Sequence, residues 1–246
     1  PLVGVRINQH CAPNDETLDS LKQDPALFLI HKNGFAFQST PECVPFLLKQ
    51  GHASLQSISS YLSLAHIDER YIQEPLLDLC CGRGGKTAIC AEQGLSPFAS
   101  DFSIQRLSQL QTESSRLHLP YIPALLINAS RPLPFSKSFN TILIDAPCSG
   151  LGVISRRPDS KYRITKKMIS ELVNTQKSIL EHACSHVRKN GTIIYITCSI
   201  SPEENHNQIA SFLSRHSSFE CVQEFLPDYT SPMNEFFYTA VLKNRA

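Results

Sequence analysis

From about residue 74 to its end, the chain alternates short apolar runs with polar stretches long enough for a helix. This alternation is typical of a parallel sheet wrapped by helices, because each polar stretch can carry the crossover between two buried strands. The predicted strands are 75–79, 97–100, 122–127, 141–144 and 192–197. The predicted helices are 86–93, 103–117, 165–188 and 203–215.

Two further β-like runs, 219–225 and 236–242, close the chain without a helix between them. Strands joined without a helical crossover are normally antiparallel, so these two runs predict a terminal hairpin. With the five strands before them, they give an α/β fold with a doubly wound, mostly parallel sheet of seven strands.

The first 50 residues follow a different pattern. They contain β-like pieces at 3–7 and 26–30, a helical stretch at 16–22, and a turn signal at Asn33-Gly34. This pattern predicts a small α+β module over residues 1–50. Residues 51–73 are expected to form a connecting helical segment with a helix near 54–66, and residues 74–246 the main domain.

The composition is that of a globular protein. Of the 246 residues 41% are hydrophobic and 18% charged, and no apolar run approaches the roughly 20 residues that span a bilayer. We expect a soluble, cytoplasmic monomer without a membrane partner. Because the chain begins with Pro1, we expect it to be part of a longer or processed protein. The net charge is +1, so a polyanion would have to be met by a local patch.

The cysteines are read as reduced thiols. There are nine of them, an odd number, and none has the paired Cys-x-x-Cys spacing of a structural zinc site. No metal is therefore expected. A free cysteine is most often a small buried hydrophobic residue, and packing is the default interpretation for Cys80, Cys81, Cys90 and Cys184.

Residues 77–87 read as a strand, a glycine-rich turn and the start of a helix, which is a common place for a phosphate or a nucleotide cofactor. A P-loop fails on spacing, because Cys80 stands where its first glycine belongs. An NTPase remains an alternative, since residues 142–145 resemble a Walker B strand. A dinucleotide fingerprint begins at Gly82 and Gly84 but has Thr87 in place of its third glycine.

The remaining ligand for this turn is S-adenosylmethionine. That cofactor needs an acid at the end of the second strand to hold its ribose hydroxyls. Asp101 lies at that point, 19 residues beyond Gly82, near the spacing expected for a ribose-binding acid. A tight turn between a strand and a helix, with no ligand, is the alternative interpretation.

Two short cysteine motifs follow apolar, β-rich runs. They are Asp145-Ala146-Pro147-Cys148-Ser149-Gly150 and Thr197-Cys198-Ser199. If both runs are parallel strands, their ends meet at one edge of the sheet. Two thiols at the same edge suggest covalent chemistry rather than packing.

Further motifs complete an ordered set. Arg156-Arg157-Pro158-Asp159, Lys161-Tyr162 and Pro202-Glu203-Glu204-Asn205 accompany the two cysteine motifs. The set resembles the Sun family of RNA 5-methylcytosine methyltransferases. Val5-Arg6-Ile7-Asn8 and Gly84-Gly85-Lys86-Thr87 extend this resemblance over most of the chain. It implies a Rossmann-like methyltransferase fold, S-adenosylmethionine as cofactor, and RNA, specifically ribosomal RNA, as partner.

The resemblance also implies a role for each thiol. Carbon 5 of cytosine is a poor nucleophile, so Cys198 is expected to add at carbon 6 and convert the ring into an enamine-like species. Asp145 is expected to assist at the ring's N3, and Cys148 to assist release of the product. The target base must leave its stack to reach a buried thiol.

The remaining predicted site residues bind cofactor or RNA. The predicted cofactor residues are Cys80, Cys81, Gly82, Arg83, Gly84, Gly85, Lys86, Asp101, Asn128 and Asp145. Arg156, Arg157 and Lys161 lie in a basic stretch after the Cys148 motif and are predicted to contact RNA phosphates, a solvated surface patch being the alternative.

Three departures from the family pattern fall on the cofactor side. Cys81-Gly82-Arg83 stands where the family usually has Ala-Ala-Pro, while Asn128 and Ser57 replace acids. These changes leave both thiols and Asp145 intact. We therefore favour an active enzyme, with a non-catalytic RNA-binding or ribosome-assembly factor of the same fold as the alternative.

Overall fold

The structure is a computed structural model that describes residues 1–136 and 138–246. Its strands are β1 (Val3–Ile7), β2 (Leu27–His31), β3 (Gly34–Phe37), β4 (Ala53–Leu55), β5 (Leu76–Asp78), β6 (Phe98–Asp101), β7 (Ala124–Leu126), β8 (Phe139–Asp145), β9 (Val187–Thr197), β10 (Phe219–Phe225) and β11 (Tyr238–Asn244).

The helices cover the seven-stranded sheet and complete the small module. They are α1 (Asp15–Gln23), α2 (Val44–Lys49), α3 (Ile58–Ala65), α4 (Gly85–Glu92), α5 (Ile104–Arg116), α6 (Ser160–Arg163), α7 (Lys166–Cys184) and α8 (His206–Arg215). None of the helices in the described ranges is long and apolar enough to cross a membrane.

The large sheet has the order β10-β11-β9-β8-β5-β6-β7. The five strands from β9 to β7 are parallel, and β10 and β11 form an antiparallel hairpin at one edge. The predicted doubly wound, mostly parallel fold is therefore confirmed. The sheet grows outward from β5 in both directions, so a crevice opens between the ends of β5 and β8, where such sheets bind ligands.

The central strands form the core because helices cover both faces of the sheet. In β8, Ile142, Leu143 and Ile144 are buried, and in β9 Ile193 and Ile194 are buried beside them. A strand buried on both faces reads as a continuous apolar run rather than as an alternation. This explains why the two apolar runs that precede the cysteine motifs predict strands correctly from the sequence.

The small sheet, of order β2-β3-β1-β4, is antiparallel and includes a strand after residue 50. Ala53 pairs with Ile7 and Leu55 with Val5. The helix predicted over 54–66 was therefore wrong at its start. It begins only at Ile58, where the Ser57 side chain accepts a hydrogen bond from the backbone of the first turn.

The helix predicted over 165–188 was wrong at its end, and the strand after it was predicted too short. Helix α7 ends at Cys184, and β9 begins at Val187 rather than at residue 192. Val187 pairs with Phe139 of β8. Val187 lies five residues before Thr192, where the apolar run of β9 begins. Pairing with a neighbouring strand extends β9 through a polar segment that has no strand signal of its own.

The module packs against the large sheet through buried polar contacts. The Arg6 guanidinium, 2% exposed, forms an ion pair with Glu92 at 2.8 Å and donates a hydrogen bond to the Gly85 carbonyl. Asn8 donates to the carbonyls of Gly51 and Leu117. The first strand of the module is thus fixed to the turn that begins α4.

Candidate active site

The two cysteine motifs meet at the edge where the parallel strands end. Asp145, the last residue of β8, lies opposite Ile196 of β9 in the parallel register. The loops that follow bring Cys148 and Cys198 together, with 3.4 Å between the two Sγ atoms. The structure therefore places both predicted thiols and Asp145 in one site.

A buried carboxylate holds these two loops together. Glu204 is fully buried and accepts hydrogen bonds from the Ser149 backbone N–H at 2.8 Å and from the Gln176 amide at 3.1 Å. Its second oxygen accepts from the hydroxyls of Ser149 and Ser199, each of which directly follows a thiol. Since both loops bond to one carboxylate, the distance between the thiols is fixed without a covalent link.

The sequence does not reveal the role of Glu204. There it is only one residue of the Pro202-Glu203-Glu204-Asn205 motif, at the start of a predicted helix. The available signal was the serine that follows each cysteine, Ser149 and Ser199. A hydroxyl at a buried position requires an acceptor. The sequence does not show which residue supplies it, because Glu204 is 55 residues from Ser149.

The charges around the thiols distinguish one from the other. A hydrogen bond from Cys148 lowers the pKa of Cys198, which burial and Asp145 raise, and the positive charges of Lys86 and Arg157 lower it further. The same hydrogen bond, together with burial, raises the pKa of the Cys148 thiol well above its usual value. Cys198 is therefore the sulfur more readily ionised, as a nucleophile requires.

Lys86 and Asp145 form an ion pair next to the thiols. The Lys86 ammonium, 5% exposed, lies 2.7 Å from Asp145 Oδ2 and 5.5 Å from the centre of the Phe237 ring. Asp145 is more exposed than its partner and lines a cavity. The ion pair fixes the direction of the carboxylate while leaving it accessible to a ligand.

That cavity has a volume of about 350 Å³ and lies over the ends of β5, β6 and β8. Of the predicted cofactor residues, it is lined by Cys80, Asp101, Asn128 and Asp145. Asp101 is buried and accepts hydrogen bonds from the backbone of Gly82 at 3.0 Å and of Ser103 at 2.9 Å. Each carboxylate oxygen can accept more than one hydrogen bond, so Asp101 can still bind a sugar hydroxyl.

The other turn residues lie beside this cavity. Arg83, Gly84 and Gly85 line a neighbouring cleft together with Arg6. Gly84 has a φ of +85°, and a Cβ there would lie 2.8 Å from the Leu110 side chain. The glycine is thus required by the turn and by its packing on α5, whether or not a ligand is bound.

The remaining cysteines predicted to pack are buried or partly buried thiols. Burial raises the pKa of Cys80, of Cys81 and of Cys90, the last to about 12. Cys184 lies at the far end of α7 beside Glu181 and His216, the one group in the described ranges that could offer three metal ligands. Arg215 and His216 already bond to the Glu181 carboxylate there.

The predicted RNA residues differ in their surroundings. Arg156 forms an ion pair with the buried Glu235 and donates a hydrogen bond to the Leu2 carbonyl at 2.9 Å. Its side chain is therefore tethered to two other parts of the chain, although it is still about a third exposed. Arg157 and Lys161 are exposed, and Lys161 lies 4.8 Å from the centre of the exposed Tyr162 ring.

Glu204→Ala should destabilise the protein, because it leaves up to four buried donors without an acceptor. We expect the free energy of unfolding to fall by about 2–4 kcal/mol in urea titrations. Glu203→Ala, at the exposed neighbouring acid, should change it by less than about 1 kcal/mol. Equal effects of the two substitutions would contradict the role of Glu204.

Comparison with known proteins places this chain in a family. The family model described as 16S rRNA methyltransferase RsmB/F matches residues 66–237. Ribosomal RNA small subunit methyltransferase B of Klebsiella pneumoniae is 36% identical over the whole chain, and that of an Enterobacter strain is 30% identical over 99% of it. The chain spans 60% of the length of both relatives.

Solved structures agree on the fold. NSun6 from Pyrococcus horikoshii, crystallised with SFG, matches all of this chain and 91% of its own with a TM-score of 0.79 at 16% identity. A methyltransferase homologue from the same organism matches 99% of this chain and 87% of its own, also with a TM-score of 0.79, at 22% identity. The chain belongs to the RsmB/F family of S-adenosylmethionine-dependent RNA methyltransferases, also called the Sun family.

Proposed function

We propose that this protein transfers a methyl group from S-adenosylmethionine to carbon 5 of a cytosine in small-subunit ribosomal RNA. The observation that carries the proposal is the pair of thiols 3.4 Å apart beside Asp145, at the edge of a cavity of cofactor size. The names of the relatives support ribosomal RNA as the substrate.

The cavity fits S-adenosylmethionine in size and in the polar groups that line it. The buried Asp101 would hold the ribose hydroxyls, and the carbonyl of Asn128 would accept from the adenine amine. When bound, the cofactor supplies an electrophilic methyl carbon. SFG, with which the structurally similar NSun6 was crystallised, is an analogue of this cofactor.

Cys198 begins the reaction on the cytosine. Its thiolate adds to carbon 6, which forms a carbon–sulfur bond and moves the electron pair of the carbon 5–carbon 6 double bond onto carbon 5. Carbon 5 then takes the methyl group. Asp145 assists at N3: as a carboxylate it accepts a hydrogen bond from a protonated N3, or, after taking up a proton, it donates that proton to N3. Lys86, paired with the same carboxylate at 2.7 Å, keeps it oriented toward the ring.

Cys148 completes the cycle. After transfer, carbon 5 must lose its proton, and the electrons of that bond re-form the ring double bond as the bond to Cys198 breaks. Cys148 lies beside the leaving sulfur, and its raised pKa keeps it a neutral thiol, so it can donate a hydrogen bond to the departing Cys198 thiolate while the carbon 5 proton passes to water.

Cys198→Ala should abolish methylation, because the raised pKa of the neighbouring Cys148 keeps that thiol protonated and unable to replace the nucleophile. We expect transfer of labelled methyl from S-adenosylmethionine to ribosomal RNA to fall by about 10³-fold or more. Cys221→Ala, a thiol on the edge strand β10, should retain activity. Full activity of Cys198→Ala would overturn the assignment of the nucleophile.

Cys148→Ala should trap the enzyme on its substrate, since addition still occurs but release is blocked. We expect a protein–RNA adduct that survives denaturing electrophoresis and disappears after nuclease digestion to nucleotides. The double variant Cys148→Ala/Cys198→Ala serves as the control and should form no adduct. Loss of activity in Cys148→Ala without an adduct would contradict its role in release.

Asp101→Asn should weaken cofactor binding by about tenfold in calorimetric titrations with S-adenosylmethionine, because the neutral amide loses a charged hydrogen-bond acceptor. Asp159→Asn, at an exposed acid, should bind like the wild type. If the wild-type protein itself showed no binding at millimolar cofactor, the non-catalytic RNA-binding factor would become the better interpretation.

A further inference from the structure

The two active-site sulfurs lie close enough to be joined directly. Their separation of 3.4 Å exceeds the length of a disulfide bond by about 1.4 Å, a distance that small rotations about the side-chain bonds of two cysteines can cover. The backbones meet at the same place, since the Gly152 N–H, four residues after Cys148, donates to the Cys198 carbonyl at 2.9 Å. The pair is therefore placed for a covalent bond between its own sulfurs.

The hydrogen bonds to Glu204 keep the thiols in this position. Ser149 and Ser199, the residues after the two cysteines, both donate to its buried carboxylate. A partner that is held in contact reacts faster than one that must diffuse in from solution. An oxidised form of one sulfur therefore meets the other sulfur before it meets a second oxidant or a small-molecule thiol.

The two sulfurs also differ in the way that a two-step oxidation requires. The hydrogen bond from Cys148 and the charge of Lys86 lower the pKa of Cys198, so Cys198 more readily supplies the thiolate that attacks a peroxide. Cys148, whose pKa is raised, keeps the proton that the second step consumes. Both thiols are half-buried, so a molecule as small as hydrogen peroxide can reach them, whereas Cys90 is fully buried.

We propose that Cys148 and Cys198 together form a modification site, at which hydrogen peroxide converts the pair into an intramolecular disulfide and a dithiol reductant restores it. Formation of the disulfide does not depend on the proposed function, but its consequence rests on it. Because Cys198 cannot add to carbon 6 while it is bonded to Cys148, methyl transfer stops until the disulfide is reduced.

The oxidation proceeds in two balanced steps. The Cys198 thiolate attacks one oxygen of the peroxide; a sulfur–oxygen bond forms, the oxygen–oxygen bond breaks, and the departing hydroxide takes up a proton to become water. The Cys148 sulfur then attacks the sulfenic acid of Cys198; the sulfur–sulfur bond forms, and the hydroxyl leaves with the Cys148 proton as a second water. The two sulfurs lose two electrons in total, which the peroxide gains.

The test treats the reduced full chain with hydrogen peroxide in the absence of RNA. The protein is then unfolded, its remaining thiols are blocked with N-ethylmaleimide, and its peptides are identified by mass spectrometry. We expect Cys148 and Cys198 to escape blocking together and their peptides to be found joined. Dithiothreitol should make both thiols available for blocking again.

Cys148→Ala removes the second step but not the first. It should leave Cys198 as a sulfenic acid, which dimedone captures at roughly tenfold the level seen in the wild-type protein. Cys148→Ser, which keeps the size of the side chain, should behave in the same way. The matched control, Cys221→Ala, removes a thiol on the edge strand β10 and should form the disulfide like the wild type.

Oxidation of Cys198 to a sulfinic acid in the wild-type protein, with Cys148 still available for blocking, would overturn the proposal. A disulfide to another cysteine, or between two copies of the chain, would overturn it as well. Methyl transfer to RNA by the oxidised protein is measured separately. If the disulfide forms but methylation continues at the rate of the reduced protein, the modification site stands and the role of Cys198 as the nucleophile falls, so the two failures are distinguishable.

Discussion

The hydrogen bonds that Glu204 accepts from the loops after β8 and β9 hold the rest of the site in place. Removing a carboxylate from water is costly, and here that cost is offset by donors from Ser149, Ser199 and Gln176. Such a network is stable only when complete. Because the serine of each motif follows its cysteine directly, completing the network also sets the two sulfurs at 3.4 Å.

Two more buried carboxylates, Glu92 and Glu235, also join distant segments of the chain, each through an arginine. Glu92 holds Arg6, which also bonds to the carbonyl of Gly85, one residue before Lys86. Glu235 holds Arg156, which bonds to the carbonyl of Leu2. Buried ion pairs add little net stability, but they specify geometry, since a misplaced charge is left without a partner. The N-terminal module is therefore positioned relative to the edge of the large sheet that carries the two thiols.

The features that the sequence made predictable are local. Buried strands read as apolar runs, and the motif after each run located the two thiols at one sheet edge. The contacts that complete the site join residues far apart in the chain, as in the 79 residues between Arg156 and Glu235. Periodicity identifies an element but not its partner. For the same reason periodicity predicted neither the pairing of β4 with β1 nor the extension of β9 to Val187.

The cysteines show why burial alone does not decide which way the pKa of a thiol shifts. Cys90 is fully buried and faces Asp78, and both burial and that negative charge raise its pKa. Cys198 is also largely desolvated, yet its neighbours include a thiol that donates a hydrogen bond and the two cations Lys86 and Arg157. Lys86 is held in place by its ion pair with Asp145, because α4 carries the lysine and the end of β8 carries the carboxylate. The ionisation of one sulfur thus depends on the packing of the whole domain around it.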